Sequence, residues 1–97
     1  MVFMTIENVR QEIENIDREL VELIAKRVGF ADDILKYKHQ ANLPINDDTQ
    51  NDVVIDRAVS IATEKGLDST VVKQIFNLLI QMNIERQHEL SGEGNLP

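Results

Sequence analysis

From Ile6 to Ala41 the chain contains no proline and one glycine, Gly29, while its apolar residues recur in alternating steps of three and four. Val9, Ile13, Ile16, Leu20, Leu23, Ile24, Ala31, Ile34 and Leu35 fall on one face of an α-helix. Thr5 supplies an N-cap and Asn42-Leu43-Pro44 a stop. Gly29 is a soft spot costing up to about 1 kcal/mol relative to alanine. A helix of this span is on the order of 50 Å long at 1.5 Å per residue. A compact chain of 97 residues has a radius of gyration of only about 12 to 13 Å. Such a helix overhangs its own domain, and its stripe stays apolar over the overhang. Two copies packing their long helices together cover it most simply, so the expectation is an all-α homodimer.

Two further helices follow. One begins at Asp47 or Asp48, turns Asn51, Val54, Ile55, Ala58, Ile61 and Ala62 inward, and stops at Lys65-Gly66. The next begins at Asp68 or Ser69 and carries Val72, Ile75, Phe76, Leu79, Asn83 and Leu90 on one side, with Arg86 and Gln87 on or near it. No strand-period segment, internal repeat or glycine-rich phosphate loop occurs. The expected domain covers residues 1–90 and a disordered tail covers 91–97.

Composition removes several function classes. With no cysteine there is no disulfide framework, thiol nucleophile or Cys-ligated metal, in keeping with a reducing compartment. No apolar run approaches the roughly 18 to 20 residues that span a bilayer, and Met1–Met4 lacks a basic leader, so a soluble cytoplasmic protein is expected. A formal charge of −7 argues against nucleic acid, whose phosphates demand a basic face. His39 and His88 show no metal-ligand spacing and are read as surface residues, so no metal and no cofactor are expected.

The informative residues are polar ones on apolar faces. Arg27 and Lys38 interrupt the first stripe about a whole number of turns apart, so they project along one line and can bracket a small anion. A lone inward Arg or Lys more often lays its methylenes on the stripe and its charge in water. Asn51, Asn83, Arg86 and Gln87 occupy similar positions on the later helices, and Arg10 lies at the edge of the first stripe. Asn83 and Gln87, four apart, can also bond each other, and Gln50 can close a capping box with Asp47. The set supplies cations and amides, which bind carboxylates and ether or hydroxyl oxygens, and no nucleophile.

Their order resembles the all-helical class of chorismate mutases. The resemblance is carried by Val9-Arg10, Ile16-Asp17, Leu23-Ile24-Ala25-Lys26-Arg27, Tyr37-Lys38, Pro44-Ile45-Asn46-Asp47, Gly66-Leu67-Asp68, Ile75-Phe76 and Gln87, and covers Ile6 to Leu90. It implies an intertwined dimer of three-helix chains with two shared active sites. Arg10 from one protomer and Arg27 from the other would bind substrate carboxylates. Lys38 and Gln87 would meet the ether oxygen of the breaking C–O bond, Asp47 would offer its backbone N–H, and Asn83 would help hold the ring carboxylate. Converting chorismate to prephenate is a pericyclic rearrangement needing no base, covalent intermediate or metal. It rests on holding the dianion in a chair-like conformer and stabilising charge on the ether oxygen.

At one point the chain departs from that pattern. Where these mutases usually carry Arg-Glu, this chain has Gln50-Asn51. Asn51 can still bond a ring hydroxyl, though as a neutral and weaker partner. Related isochorismate-pyruvate lyases and 4-amino-4-deoxychorismate mutases also lack the Glu, so both stand as alternatives, and a catalytically inactive metabolite-binding or interaction dimer stands as a third. Arg86 is a candidate replacement for the lost cation on helical position alone.

Overall fold

A computed structural model describes residues 4–92. Its helices are α1 (Ile6–Gly29), α2 (Ala31–Ala41), α3 (Asp48–Glu64) and α4 (Ser69–Ser91), and no strand occurs among the described residues. Thr5 opens α1 with a reciprocal capping box: its hydroxyl accepts from the Asn8 N–H, and the Asn8 side-chain oxygen accepts from the Thr5 N–H, each at 3.1 Å.

The expected long first helix is present but divided at Phe30, which keeps right-handed helical backbone angles, so that α2 follows α1 directly. The Phe30 N–H donates to the Arg27 carbonyl at 3.3 Å, a tightened i−3 bond, and the regular pattern resumes where Ile34 N–H donates to Phe30 O at 3.0 Å. The Arg27 carbonyl also accepts a hydrogen bond from Asn83 Nδ2 of α4 at 3.3 Å. A side chain inserted at this point in the ladder, beside a residue of low helix propensity, accounts for the break.

The remaining boundaries follow the chain's own signals. Asn42 adopts φ 57° and ends α2, letting Leu43 N–H reach back to Lys38 O at 2.8 Å. Asp47 caps α3 by accepting from Gln50 N–H at 3.2 Å. Gly66, at φ 71°, closes the α3 end in the left-handed region that glycine tolerates. Asp68 caps α4 through the N–H groups of Thr70 and Val71. Gly92 caps the C-terminal end of α4 after Ser91, and the rest of the expected tail lies outside the described residues.

α4 touches each of the other three helices, and α3 with α4 forms the main pair. Their shared core is small: Ala31 and Leu35 of α2, Val54, Ala58 and Ala62 of α3, and two amides of α4, Asn83 and Gln87. α1 buries no residue, and Ile13, Ile16 and Leu20 are each 52% exposed. Ile61, Ile75 and Leu90, placed inward by their spacing, are about half exposed, since no further layer of the protomer lies over them. The protomer measures 58 × 29 × 23 Å with a radius of gyration of 17.4 Å, well above the compact value. α1 overhangs, as its length demands.

Candidate active site

Where the α1–α2 junction, the start of α3 and the second half of α4 converge, they enclose a cavity of about 430 Å³. That volume is typical of small-ligand sites, which run from about 300 to 1,000 Å³. Phe30, Ile34, Val54, Ile80 and Ile84 form its apolar walls, and Arg27, Lys38, Asp47, Gln50, Asn51, Arg57, Asn83 and Gln87 its polar ones. Arg27 and Lys38 reach it from opposite sides of the helix break, so neither simply snorkels into solvent.

Arg27 anchors one guanidinium nitrogen on Leu79 O at 3.1 Å, which leaves the rest of its planar fork for a ligand. Burial, and secondarily the nearby Arg57 charge, lowers its pKa from the usual arginine value. Lys38 donates one ammonium hydrogen to the Ile45 carbonyl in the α2–α3 loop and keeps two more. Burial lowers its pKa as well, and Asp47 partly opposes the shift. Both cations would therefore gain from an anion in the cavity. The Asp47 carboxylate is engaged at the α3 N-terminus, where backbone N–H groups and the helix dipole also favour negative charge.

A chain of amides lines the far wall. Asn83 Nδ2 donates to the Arg27 carbonyl, and Asn83 Oδ1 accepts from Gln87 Nε2 at 2.5 Å. Because a backbone carbonyl only accepts, the orientation of both amides follows from Arg27 O. Gln87 keeps one N–H to give, while its Oε1 is buried without a partner. An orphan of this kind is rare in a folded interior and is at home beside a ligand. Asn83→Leu removes the link on which this polarity depends and strands the Gln87 amide. A loss of about 1 to 3 kcal/mol in unfolding free energy is expected from denaturant melts.

On the near wall, Asn51 Nδ2 donates to Asn46 Oδ1 at 2.9 Å, which leaves Asn51 Oδ1 as an acceptor. Gln50 makes no side-chain bond back to Asp47 among the described residues, so the capping box expected there is half formed and its side chain remains on the cavity wall.

Of the residues expected from sequence to form the site, Arg27, Lys38, Asp47, Gln50, Asn51, Asn83 and Gln87 are brought together. Arg10 is not. It lies exposed near the start of α1, 3.7 Å from Glu7, roughly 25 Å along the helix from Arg27 at 1.5 Å per residue. Arg86 does not line the cavity either: its guanidinium is paired with Glu89 at 2.9 Å on the surface of α4, one position away from the inward-facing Gln87. The cation that sequence reading missed is Arg57. Its signal was the i, i+4, i+7 spacing of Gln50, Val54 and Arg57, which puts all three on one face of α3.

Known proteins match this sequence over most of its length. The family model for chorismate mutase type II matches residues 9–88. A chorismate mutase of Methanocaldococcus jannaschii is 32% identical over 85 residues, covering 88% of this chain and 86% of the relative. The 4-amino-4-deoxychorismate mutase of Streptomyces venezuelae is 24% identical, covering 77% of this chain and 73% of the relative. The bifunctional chorismate mutase/prephenate dehydratase of Escherichia coli is 26% identical across 90% of this chain, which spans only 24% of that longer protein. With 80 of its residues under one family model and most of every helix within the match, this chain belongs to the chorismate mutase type II family.

Proposed function

We propose that the chain is a chorismate mutase, rearranging chorismate to prephenate for aromatic amino-acid synthesis. The observation that carries this reading is the placement of Arg27, Lys38 and Gln87 around one cavity, each with a donor to spare. Arg27 grips a carboxylate and holds the dianion folded. Lys38 and Gln87 donate to the ether oxygen as its C–O bond breaks and the new C–C bond forms within the same molecule. No atom enters or leaves the molecule and no proton is transferred, so positioning and electrostatic stabilisation are sufficient catalysis.

Asn51 supports a second reading. Its free acceptor suits a ring hydroxyl or a ring amine, so 4-amino-4-deoxychorismate is the alternative substrate. Incubation with chorismate, isochorismate and 4-amino-4-deoxychorismate, followed by product identification, separates the readings. Prephenate supports the mutase, its amino counterpart the second reading, and salicylate with pyruvate a lyase. A folded protein that turns over none of them is a binding or interaction module.

The working form in this proposal is a soluble cytoplasmic homodimer. No described helix is long and apolar enough to cross a membrane, and the bare stripe of α1 is large enough to need a partner. A second copy covers it with the same stripe, and brings an Arg10 into each site.

The reaction also acquires a pH signature. Substrate carboxylates stay ionised at alkaline pH, whereas Lys38 must be protonated to donate. Its lowered pKa places the alkaline limb of kcat/KM below the ordinary lysine value, and the bound dianion moves the limb of kcat to higher pH. The stability effect has the opposite sign. With the folded pKa below the unfolded one, the unfolded chain holds more protons between the two, so this residue's contribution to stability rises with pH through that window. Rate profiles on chorismate, measured to the alkaline limit of folding, check the first expectation.

A further inference from the structure

The cavity carries an electrostatic imbalance that the reading above does not use. Three cations line it, Arg27, Lys38 and Arg57, against one carboxylate, Asp47, which is turned to the α3 N-terminus. Arg27 and Lys38 each hold a backbone carbonyl. Arg57 makes no hydrogen bond or ion pair among the described residues, although acidic side chains are abundant on this chain. It also stands close enough to Arg27 for the two like charges to be felt. Two arginines facing one cavity with no acid between them repel, and a protein that only needed to fold would pair or separate them.

We propose that Arg57 is a substrate-binding residue that shares with Arg27 the negative charge of the ligand's carboxylates. The inference rests on the reading of the cavity as a site for chorismate or a close dicarboxylate relative. Arg57 lies two helical turns from Gln50 on the same face of α3, so the neutral amide and the cation form one wall and α3 presents its charge two turns further along. Exposed and without a hydrogen-bond or ion-pair partner among the described residues, the arm of Arg57 is held by the anion itself, so its effect falls on affinity more than on the chemical step.

Steady-state kinetics on chorismate with the full chain provide the test, with circular dichroism to verify helicity. Arg57→Gln is expected to raise KM by roughly ten- to a hundredfold while kcat changes less than about threefold, as removal of uniform binding predicts. Arg57→Lys recovers part of the loss. Adding Gln50→Arg to Arg57→Gln restores a cation to the same wall and lowers KM again, a rescue that a merely structural role for Arg57 would not give. Arg86→Gln leaves KM unchanged. Wild-type KM in Arg57→Gln, or a raised KM in Arg86→Gln with none in Arg57→Gln, overturns the inference and leaves the proposed function standing. A wild-type protein without chorismate turnover overturns the proposed function instead. Calorimetric titration with prephenate then decides Arg57 on its own: affinity lost in Arg57→Gln supports it, and equal or absent binding in both proteins rejects it.

Discussion

Lys38→Ala is expected to lower kcat on chorismate by roughly two to three orders of magnitude, the usual effect of removing one donor to a developing oxyanion, about 3 to 4 kcal/mol. The ether oxygen gains charge only as its bond to carbon stretches, so a cation placed there binds the transition state more tightly than the substrate. KM should therefore change far less than kcat. The loss should not come from unfolding. Burial already disfavours the Lys38 charge, and the one bond given up, to Ile45 O, closes a loop that Pro44, Asn46 and the Asp47 cap also shape. The thermal midpoint is expected to move by only a few degrees, on the order of 1 kcal/mol. Lys38→Arg is not a conservative repair, because a planar fork cannot hold the Ile45 carbonyl and an ether oxygen with one compact group. A Lys38→Ala protein with near wild-type kcat would sink the role given to this residue.

Much of this site could be read from the chain because helical spacing converts directly into direction. Arg27 and Lys38 were visible as charges on an apolar stripe, and Asn83 with Gln87 as an i, i+4 pair, and the fold requires only that α4 lie against the first helix for all of them to meet. What spacing does not carry is how one helix responds to another. The division at Phe30 follows from Asn83 reaching the Arg27 carbonyl, a contact between residues far apart in sequence. Arg86 and Gln87 illustrate the angular limit: adjacent positions differ by about 100° around a helix of 3.6 residues per turn, enough to put one in a surface pair and the other in the core. Arg57 went unread because an arginine on a half-polar helix looks like a solvated one until a cavity is seen beside it. The exposure of Ile61, Ile75 and Leu90 has the same origin as that of the α1 stripe: periodicity tells which face is apolar, and not whether the protomer or a second copy covers it.

Mixing two inactive variants should restore activity if the sites are shared between protomers. Arg10→Ala and Lys38→Ala are each expected to be nearly inactive, the first through a lost carboxylate contact and the second through the lost oxyanion donor. Arg10 is exposed and roughly 25 Å along α1 from Arg27, out of reach of the cavity on its own chain. In a two-fold dimer whose α1 stripes pack together, residue i of one chain meets residue j of the other and the reverse, so each site can take Arg10 from the partner subunit and Lys38 from its own. A mixed dimer then holds one site with both residues intact and one with neither. Random reassortment of equal amounts makes half the dimers mixed, so about a quarter of wild-type activity returns. Were Arg10 to serve its own chain, every site in the mixture would carry a defect and nothing would return. Light scattering on the same samples establishes the dimer, and Leu20→Glu, a charge placed in the middle of the stripe, should convert it to monomer and abolish recovery together. A monomeric wild-type protein with full turnover would remove both the dimer and the shared site, and would require the cavity to grip its dianion with Arg27, Arg57 and Lys38 alone.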